Sequence, residues 1–428
     1  MKLLKHKTTI FVLLVTAAAI LLAACGMSAA LSPAGTENVS VLSGTESAIV
    51  STGGGAETED FSEAFSDRDL SGAYETDEAV TITLNGASAQ ASSEAVAISG
   101  GTVTISAAGT YILTGKLENG SVIVDASKDD KIQLVLDGVT IHSETFAAIY
   151  VKQADKVFIT LADDSVNTLT NGSGFQTIDD NNVDGVIFSK DDITLNGEGS
   201  LTITSPDANG IVGKDEVTIT GGTYEITAAN HAIEGKDSIA VSDGTFTLTA
   251  GEDGLHSEND DDESLGNIYI AGGTFVISVG DDAIHANTLL QIDGGTLTIT
   301  AAEGLEATYV KINDGDISIS ATDDGVNAAH KSSAYTPTFE MNGGTLTVVM
   351  GPGDTDGIDS NGNIVVNGGT INVTGNSTFD YDGTAQYNGG TIIVNGQQVD
   401  DIPNQMMGGG IDGNMGGMSG NMGGGWHH

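Results

Sequence analysis

The chain has 428 residues, enough for several ordinary domains or one long solenoid. It carries 14 basic and 59 acidic residues, a formal net charge of −45, so it has almost nothing with which to neutralise phosphates, and nucleic-acid binding is excluded. With 59 glycines, 5 prolines, 5% aromatic residues and one cysteine, the composition is β-rich and turn-rich, too poor in aromatics for a conventional sandwich core, and incapable of an intrachain disulfide.

Lys2, Lys5 and Lys7 precede an apolar run over residues 10–22, which leads into Leu22-Ala23-Ala24-Cys25. A basic start, an apolar centre and small residues before the cut describe a signal peptide over 1–24. The last four residues match the bacterial lipobox. That likeness implies that Cys25 is the lipidated first residue of the mature chain, displayed on the extracellular face of the cell membrane. Removal of the leader takes three lysines with it and leaves a net charge of −48. Residues 25–59 are rich in Ser, Thr, Ala and Gly without periodicity and read as a flexible tether. A short helix is expected over 60–70, with Asp60 as its cap, Glu63 three residues on, and Phe61, Phe65 and Leu70 packing over the first coil.

From residue 80 the chain alternates apolar and polar residues in short runs, at 80–84, 103–105, 111–113, 122–124, 132–136, 138–141, 148–151 and 157–161, each ending in a turn former. The intervening segments lack a 3.6-residue period, which excludes βαβ units. A repeat sharpens from Asp184. Its first element is Gly-Gly-Thr before an alternating run, at 221–223, 272–274, 294–296, 343–345, 368–370 and 389–391, with Asp-Gly in the same place at 243–244 and 314–315. The second element is an acid, a small residue, an aliphatic and a polar residue. It reads Asp253-Gly254-Leu255-His256, Asp282-Ala283-Ile284-His285, Glu303-Gly304-Leu305-Glu306, Asp324-Gly325-Val326-Asn327 and Asp356-Gly357-Ile358-Asp359. Weaker versions start at Asp184, Asn209 and His231. A basic unit of 21–22 residues holding three short strands cannot fold alone. If each strand pairs with its counterpart one unit later, the chain winds an all-β, right-handed, single-stranded parallel β-helix over 60–400. Propeller blades need about 40–50 residues, and the nine-residue rhythm of calcium-binding nonapeptide repeats is absent. Residues 401–428, rich in Gly, Met and Asn, read as a disordered tail whose Trp426 makes a poor sugar platform.

In such a solenoid equivalent residues sit about 4.8 Å apart. Asp253, Asp282, Glu303, Asp324 and Asp356 then form one row, thickened by Asp281 and Asp323. His256, His285, Glu306, Asn327 and Asp359 form a second. Singly, an Asp-Gly pair is an ordinary turn. In register, the carboxylates repel unless water screens them or a cation sits between them. Ca²⁺, which takes six to eight oxygens, suits this donor set. Three residues on from Asp184 and Asn209 stand Ile187 and Val212, and that position turns polar only from Glu234 onward. The histidines and Asn327 suit hydrogen bonding to carboxylates or sugar hydroxyls. An acidic insertion, 258–263, reads as a further Ca²⁺ site or a solvated loop. A second insertion, 331–339, brings Lys331 and Tyr335 beside the acidic row.

Asp-Asp-Ala-Ile-His-Ala at 281–286, Glu-Gly-Leu-Glu-Ala at 303–307 and Asp-Asp-Gly-Val-Asn-Ala-Ala at 323–329 resemble the repeats of bacterial surface lipoproteins called carbohydrate-binding domain-containing proteins. Phe-Ser-Asp-Arg-Asp-Leu-Ser-Gly at 65–72 and the Met/Gly-rich tail are similar to that family too. The resemblance covers about residues 60–400. It implies a calcium-binding β-helix similar to family 9 polysaccharide lyases. It also implies that a monomeric chain binds plant cell-wall polysaccharide such as polygalacturonate (pectin), with neutral glucans such as cellulose left open. Three functions follow: a binder without catalysis, a calcium-dependent lyase, or a structural adhesin. A lyase needs a basic side chain to take the C5 proton of a uronate. No Arg follows Asp184, and only Lys331 or Lys311 is placed for the task.

Overall fold

The computed structural model describes residues 60–405, apart from 177, 353 and 354. The expected leader, Cys25, the tether up to residue 59 and the tail from 406 lie outside the described residues. These hold 36 strands, one 3-10 turn and no α-helix. No helix among them is long and apolar enough to cross a membrane.

Three sheets run along the molecule, each built by parallel pairing of one strand with its counterpart a coil later. We call them A, B and C. In sheet C, Thr223–Ala228 pairs with Thr245–Ala250, then with Thr274–Val279 and Thr296–Ala301. In sheet A, Ile233–Gly235 is followed by Leu255–Ser257 and by the first half of Asp282–Ile292. The second half of that strand turns into sheet B, where it follows Asn267–Ile270. This is the parallel β-helix that the repeat predicts.

The repeat chemistry follows from the stacking. Inward residues form ladders: Tyr224, Phe246 and Phe275 stand opposite one another with ring centroids 5.2 and 4.5 Å apart. The ladder continues as Leu297, Ile317 and Leu346, all buried. The second glycine of Gly-Gly-Thr turns the corner into sheet C. Gly344 has φ +72°, and a Cβ there would lie 2.5 Å from the Gly315 carbonyl of the coil before. The glycine of the acidic motif meets a different limit, since a Cβ on Gly254 would lie 2.5 Å from the Ala283 carbonyl. Antiparallel hairpins close both ends, Val96–Ser99 with Thr102–Ile105 at one and Thr391–Val394 with Gln397–Val399 at the other. The first covers the edge of sheet A and the second that of sheet C.

Outside sheet B the structure corrects one expectation. Asp60 does cap a turn, Phe61–Glu63, through a bond from the Ser62 amide, but the turn is 3-10 and does not cover the first coil. The segment runs instead as a strap along sheet B. Phe61 stacks on Tyr269 at 4.4 Å, Arg68 sits 4.2 Å above the Phe158 ring, and Gln133 donates to the Ala73 carbonyl. Leu70 is 55% exposed. The physical reason is the row Phe158, Thr194, Thr218, Ala240 and Tyr269 on the outside of sheet B, an uncharged stripe that needs a cover. Where the later sheet B strands end, a ladder of amides runs along the turns: Asn313 donates to Asp293, Asn342 to Asn313, Asn367 to Asn342 and Asn388 to Asn367, at 2.6–2.8 Å.

Asp69 pins the strap. Its carboxylate accepts from Thr194 at 2.6 Å and from Ser66, and meets Lys156 Nζ at 2.9 Å; its carbonyl accepts from Asn196 and Thr220. Burial pushes the carboxyl up, but the bonds from Ser66 and Thr194 and the Lys156 ammonium outweigh it and hold it below the usual range. A depressed folded-state pKa means stability that is complete above the unfolded value and lost as pH falls through the folded one. The strap is therefore expected to stay docked at mildly acidic pH and to loosen only below the ordinary carboxylate range. Asp69→Ala strips Thr194, Ser66 and the half-buried Lys156 of their shared acceptor and should cost about 3 kcal/mol. Limited proteolysis checks both statements: cutting should fall within 60–76 while 80–405 resists.

Candidate functional site: the outer strip of sheet A

One outward column of sheet A reads Tyr150, Phe188, Val212, Glu234, His256, His285, Glu306, Asn327, Asp359 and Asp380, each opposite the next. Its apolar start is buried with Phe146 and Val183 in a small cluster of its own. The register differs by one residue from the sequence count there. Gly185, not Asp184, stands opposite Asn209, so Phe188 faces Val212 and Ile187 points into the core. The change to polar residues still falls at Glu234.

The neighbouring column carries the first residue of each motif, and its side chains serve the backbone. Asn209 Oδ1 accepts from the His231 amide, Asp253 Oδ1 from the Asp282 amide at 2.9 Å, and Asp324 Oδ1 from the Asp356 amide at 3.0 Å. One oxygen of these acids thus caps the next coil.

The remaining atoms divide the strip into three parts. At the first, Asp253 Oδ2 meets His256 Nδ1 at 2.7 Å and His231 Nδ1 at 3.2 Å. Burial pushes the Asp253 carboxyl up, but hydrogen bonds from both histidines outweigh it and hold it well below the usual range. In the middle, His285 Nδ1 lies 2.8 Å from both Asp282 and Glu306, and Lys331 Nζ lies 3.0 Å from Glu306. Burial disfavours the charged ring, yet the two carboxylates push His285 up to about 10. Burial raises Glu306, but His285 and Lys331 bring it below its usual value, whereas burial and the Glu306 charge leave Asp282 raised. Asn327 Nδ2 bridges Glu303 and Glu306 at 2.9 and 3.1 Å.

The third part has no such compensation among the described residues. Burial, then neighbouring carboxylates, push Glu303 up to about 8, Asp324 to about 6 and Asp359 to about 7; Asp380 rises for the same reasons. Asn327 Oδ1, Thr355 Oγ1, Asp356 Oδ1 and Ser377 Oγ are buried there without a hydrogen-bond partner. Asp281 and Asp323 are exposed beside the strip.

A model of the carbohydrate-binding domain-containing protein family matches residues 99–355 and 305–401. The chain belongs to this family. A carbohydrate-binding domain-containing protein of Acetivibrio thermocellus is 40% identical over 128 residues, which are 29% of this chain and 45% of that protein. The match thus spans under half of the relative's length. A solved polysaccharide lyase-like protein from C. thermocellum, a gadolinium derivative, superposes with a TM-score of 0.52 at 33% identity, over 56% of this chain and 96% of that one.

Two of the expected residues lie off the strip. Tyr335 packs edge-on against Tyr309 of sheet B, with centroids 5.5 Å apart, and Lys311 stands on sheet B between Gln291 and Glu340. The two insertions lock together as a wall: Ser332 donates to the Glu263 carbonyl, Ser333 to the Glu263 carboxylate, and Asn259 to Asp237. Sequence reasoning names His231 and Glu234 in the repeat without making them site residues, and it misses Asp380. The signal for His231 and Glu234 was the degenerate His-Ala-Ile-Glu repeat. Asp380 follows Ser-Thr-Phe, which keeps neither the acid nor the glycine.

Asp253→Ala strips the Asp282 amide and two imidazoles of their acceptor. It should cost about 3 kcal/mol, read as faster amide hydrogen exchange at Ile233, Leu255 and Ile284. Asp281→Ala, at an exposed position, should stay within about 0.5 kcal/mol.

Proposed function

We propose that the strip binds plant cell-wall polysaccharide, that Ca²⁺ at its far end bridges the protein to an acidic polymer such as polygalacturonate, and that the polymer is not cleaved. The supporting observation is the third part of the strip. Asp324, Asp356, Asp359 and Asp380 stack there beside four buried oxygens that lack partners. An unpaired buried oxygen costs free energy until something donates to it or ligates it. The donors are carboxylate, amide and hydroxyl oxygens, which is the set a hard divalent cation takes. Asp356, Asp359 and Asn327 would hold the ion, with Glu303, Asp324 and Asp380 around it. The ion supplies positive charge, and without it a chain of net charge −45 repels a polyuronate. Family membership supports the carbohydrate.

Binding is favoured over cleavage by the state of Lys331. Burial lowers the Lys331 ammonium, but Glu306, then Asp282 and Glu303, raise it, so it stays protonated and paired at neutral pH. A general base must be free of its proton. In this proposal Cys25 carries the lipid anchor and a monomeric chain is displayed on the outer face of the cell membrane.

Retention on polygalacturonate should vanish with a chelator and return with Ca²⁺. Asp356→Asn or Asp359→Asn should weaken Ca²⁺ binding about tenfold, or roughly 1.4 kcal/mol, by titration calorimetry. Chelator-resistant retention on cellulose would sink the calcium bridge. Release of unsaturated uronides, seen by ultraviolet absorbance and lost in Lys331→Ala, would overturn the absence of cleavage. Ca²⁺ uptake without polysaccharide retention would leave a structural adhesin.

A further inference from the structure

The strap encloses a groove that the strip on sheet A does not use. Past Asp69 it runs along the corner between sheets B and C. Asn196 donates to the Ser71 carbonyl at 3.2 Å, and Gln133 donates to that of Ala73. A Cβ on Gly72 would lie 3.0 Å from Gly197 Cα, so the two backbones nearly touch there. The groove between strap and corner has a volume of about 920 Å³, within the range of small-ligand sites. Its floor is built from the turns of five successive coils, from Asp137 to Gly244. At the spacing of neighbouring strands that is about 19 Å long.

Three properties of the lining define its ligand. The floor is open, because Gly197, Gly222 and Gly244 turn the corner with φ of +94°, +97° and +136° and raise no side chain into the groove. The strap side is partly apolar, with Leu70, which is 55% exposed, and the ring of Tyr74. The half-buried Tyr74 hydroxyl has no hydrogen-bond partner among the described residues. Burial, then the Asp137 and Asp163 charges, raise this phenol, so it remains a donor. Lastly, the charge is of one sign. Asp137, Asp163, Glu198 and Asp243 line the groove at exposed positions, and no lysine or arginine lines it. Asp243 caps the Gly244 amide at 2.7 Å. Spread over five coils, the four acids cannot converge on one metal ion. They suit a ligand whose positive charges are spread along a chain.

We propose that this groove binds a protonated amino-sugar oligosaccharide. Pyranose faces lie on Tyr74 and Leu70, and ammonium groups lie against Asp163 and Glu198. Sugar hydroxyls meet Thr220, Thr223 and Thr245, which also line the groove. A basic peptide would meet the same charge, but it would find no strand edge to extend, since the corner amides of Ala162, Gly199, Thr220 and Ser242 already bond the coil before. The site lies apart from the strip on sheet A and does not rest on the calcium bridge. Because the strap supplies one wall, a bound ligand also ties the strap to the coils.

The test is titration calorimetry of the full chain with glucosamine hexamer, in mildly acidic buffer with a chelator, so that calcium plays no part. One hexamer should bind per chain, N-acetylglucosamine hexamer should not, and the glucosamine hexamer should slow proteolytic cutting within 60–76. Affinity should fall about tenfold in the double variant Asp163→Asn, Glu198→Gln, which loses two charge-assisted contacts. It should fall about fivefold in Tyr74→Ala. Both variants should keep the parent circular dichroism spectrum. The double variant Glu94→Gln, Asp129→Asn removes the same charge at exposed positions away from the groove and should bind as the parent does. No binding, equal binding of a lysine hexamer, or an equal loss in the Glu94→Gln, Asp129→Asn variant (a response to net charge alone) overturns the proposal.

Discussion

In-register stacking is the constraint on which everything else depends. A coil that repeats its sequence places like beside like about every 4.8 Å. For apolar residues this is favourable, as in the ladder of Tyr224, Phe246 and Phe275. For amides it is favourable too, because each side chain both donates and accepts, and the ladder from Asp293 to Asn388 uses both functions. For carboxylates it is unfavourable, because each accepts only and all carry the same charge. A column of acids in such a fold therefore has to be compensated, and the means of compensation reveal its chemistry.

Sheet A uses two means along part of its length, and among the described residues neither imidazole nor lysine serves its far end. Backbone amides of the following coil take one oxygen of Asp253 and one of Asp324. Imidazoles and Lys331 neutralise Asp253, Asp282 and Glu306. Past Asn327 no positive group follows among the described residues, and the carboxyls there are pushed up by burial and by one another. Burial and like charges both disfavour the ionised carboxyl, and a nearby cation would favour it. The gradient from paired to unpaired acids, on one rigid face, is what separates the proposed calcium end from the histidine end.

Most of the scaffold was legible in the sequence because a solenoid writes its geometry into its period. The Gly-Gly-Thr corner and the acidic motif gave the coil, the two columns and the point where they turn polar. Three things escaped for physical reasons. The slip at Asp184 is an offset of one residue, which spacing alone does not reveal when the following residues, Val186, Ile187 and Phe188, are all apolar. The strap docks far along the chain because its partner is a stripe assembled from five coils, and no local pattern announces that stripe. Tyr335 follows Lys331 in the second insertion, and Lys311 is one of the few lysines after Asp184, yet neither lies on the strip. At a corner between sheets, a few residues are enough to turn a side chain from one face to another.

The middle of the strip bears most directly on how an acidic polymer would meet this surface. Lys331 stands beside the middle acids, as Lys214 stands beside Glu234, and it reaches them from the wall made by the two insertions rather than from a coil. It is engaged by Glu306, which also receives His285 and Asn327. For that lysine to act as a base it would have to lose its proton among several carboxylates, each of which stabilises the charged form. Removing the carboxylates to lower its pKa would also remove the groups proposed to hold the cation. The demands of a lysine base and of a cation cradle oppose one another when they share a few ångströms of one face. In this chain the side chains nearest Lys331 favour the charged ammonium, which is the physical case behind the proposal that the polymer is bound and not cut.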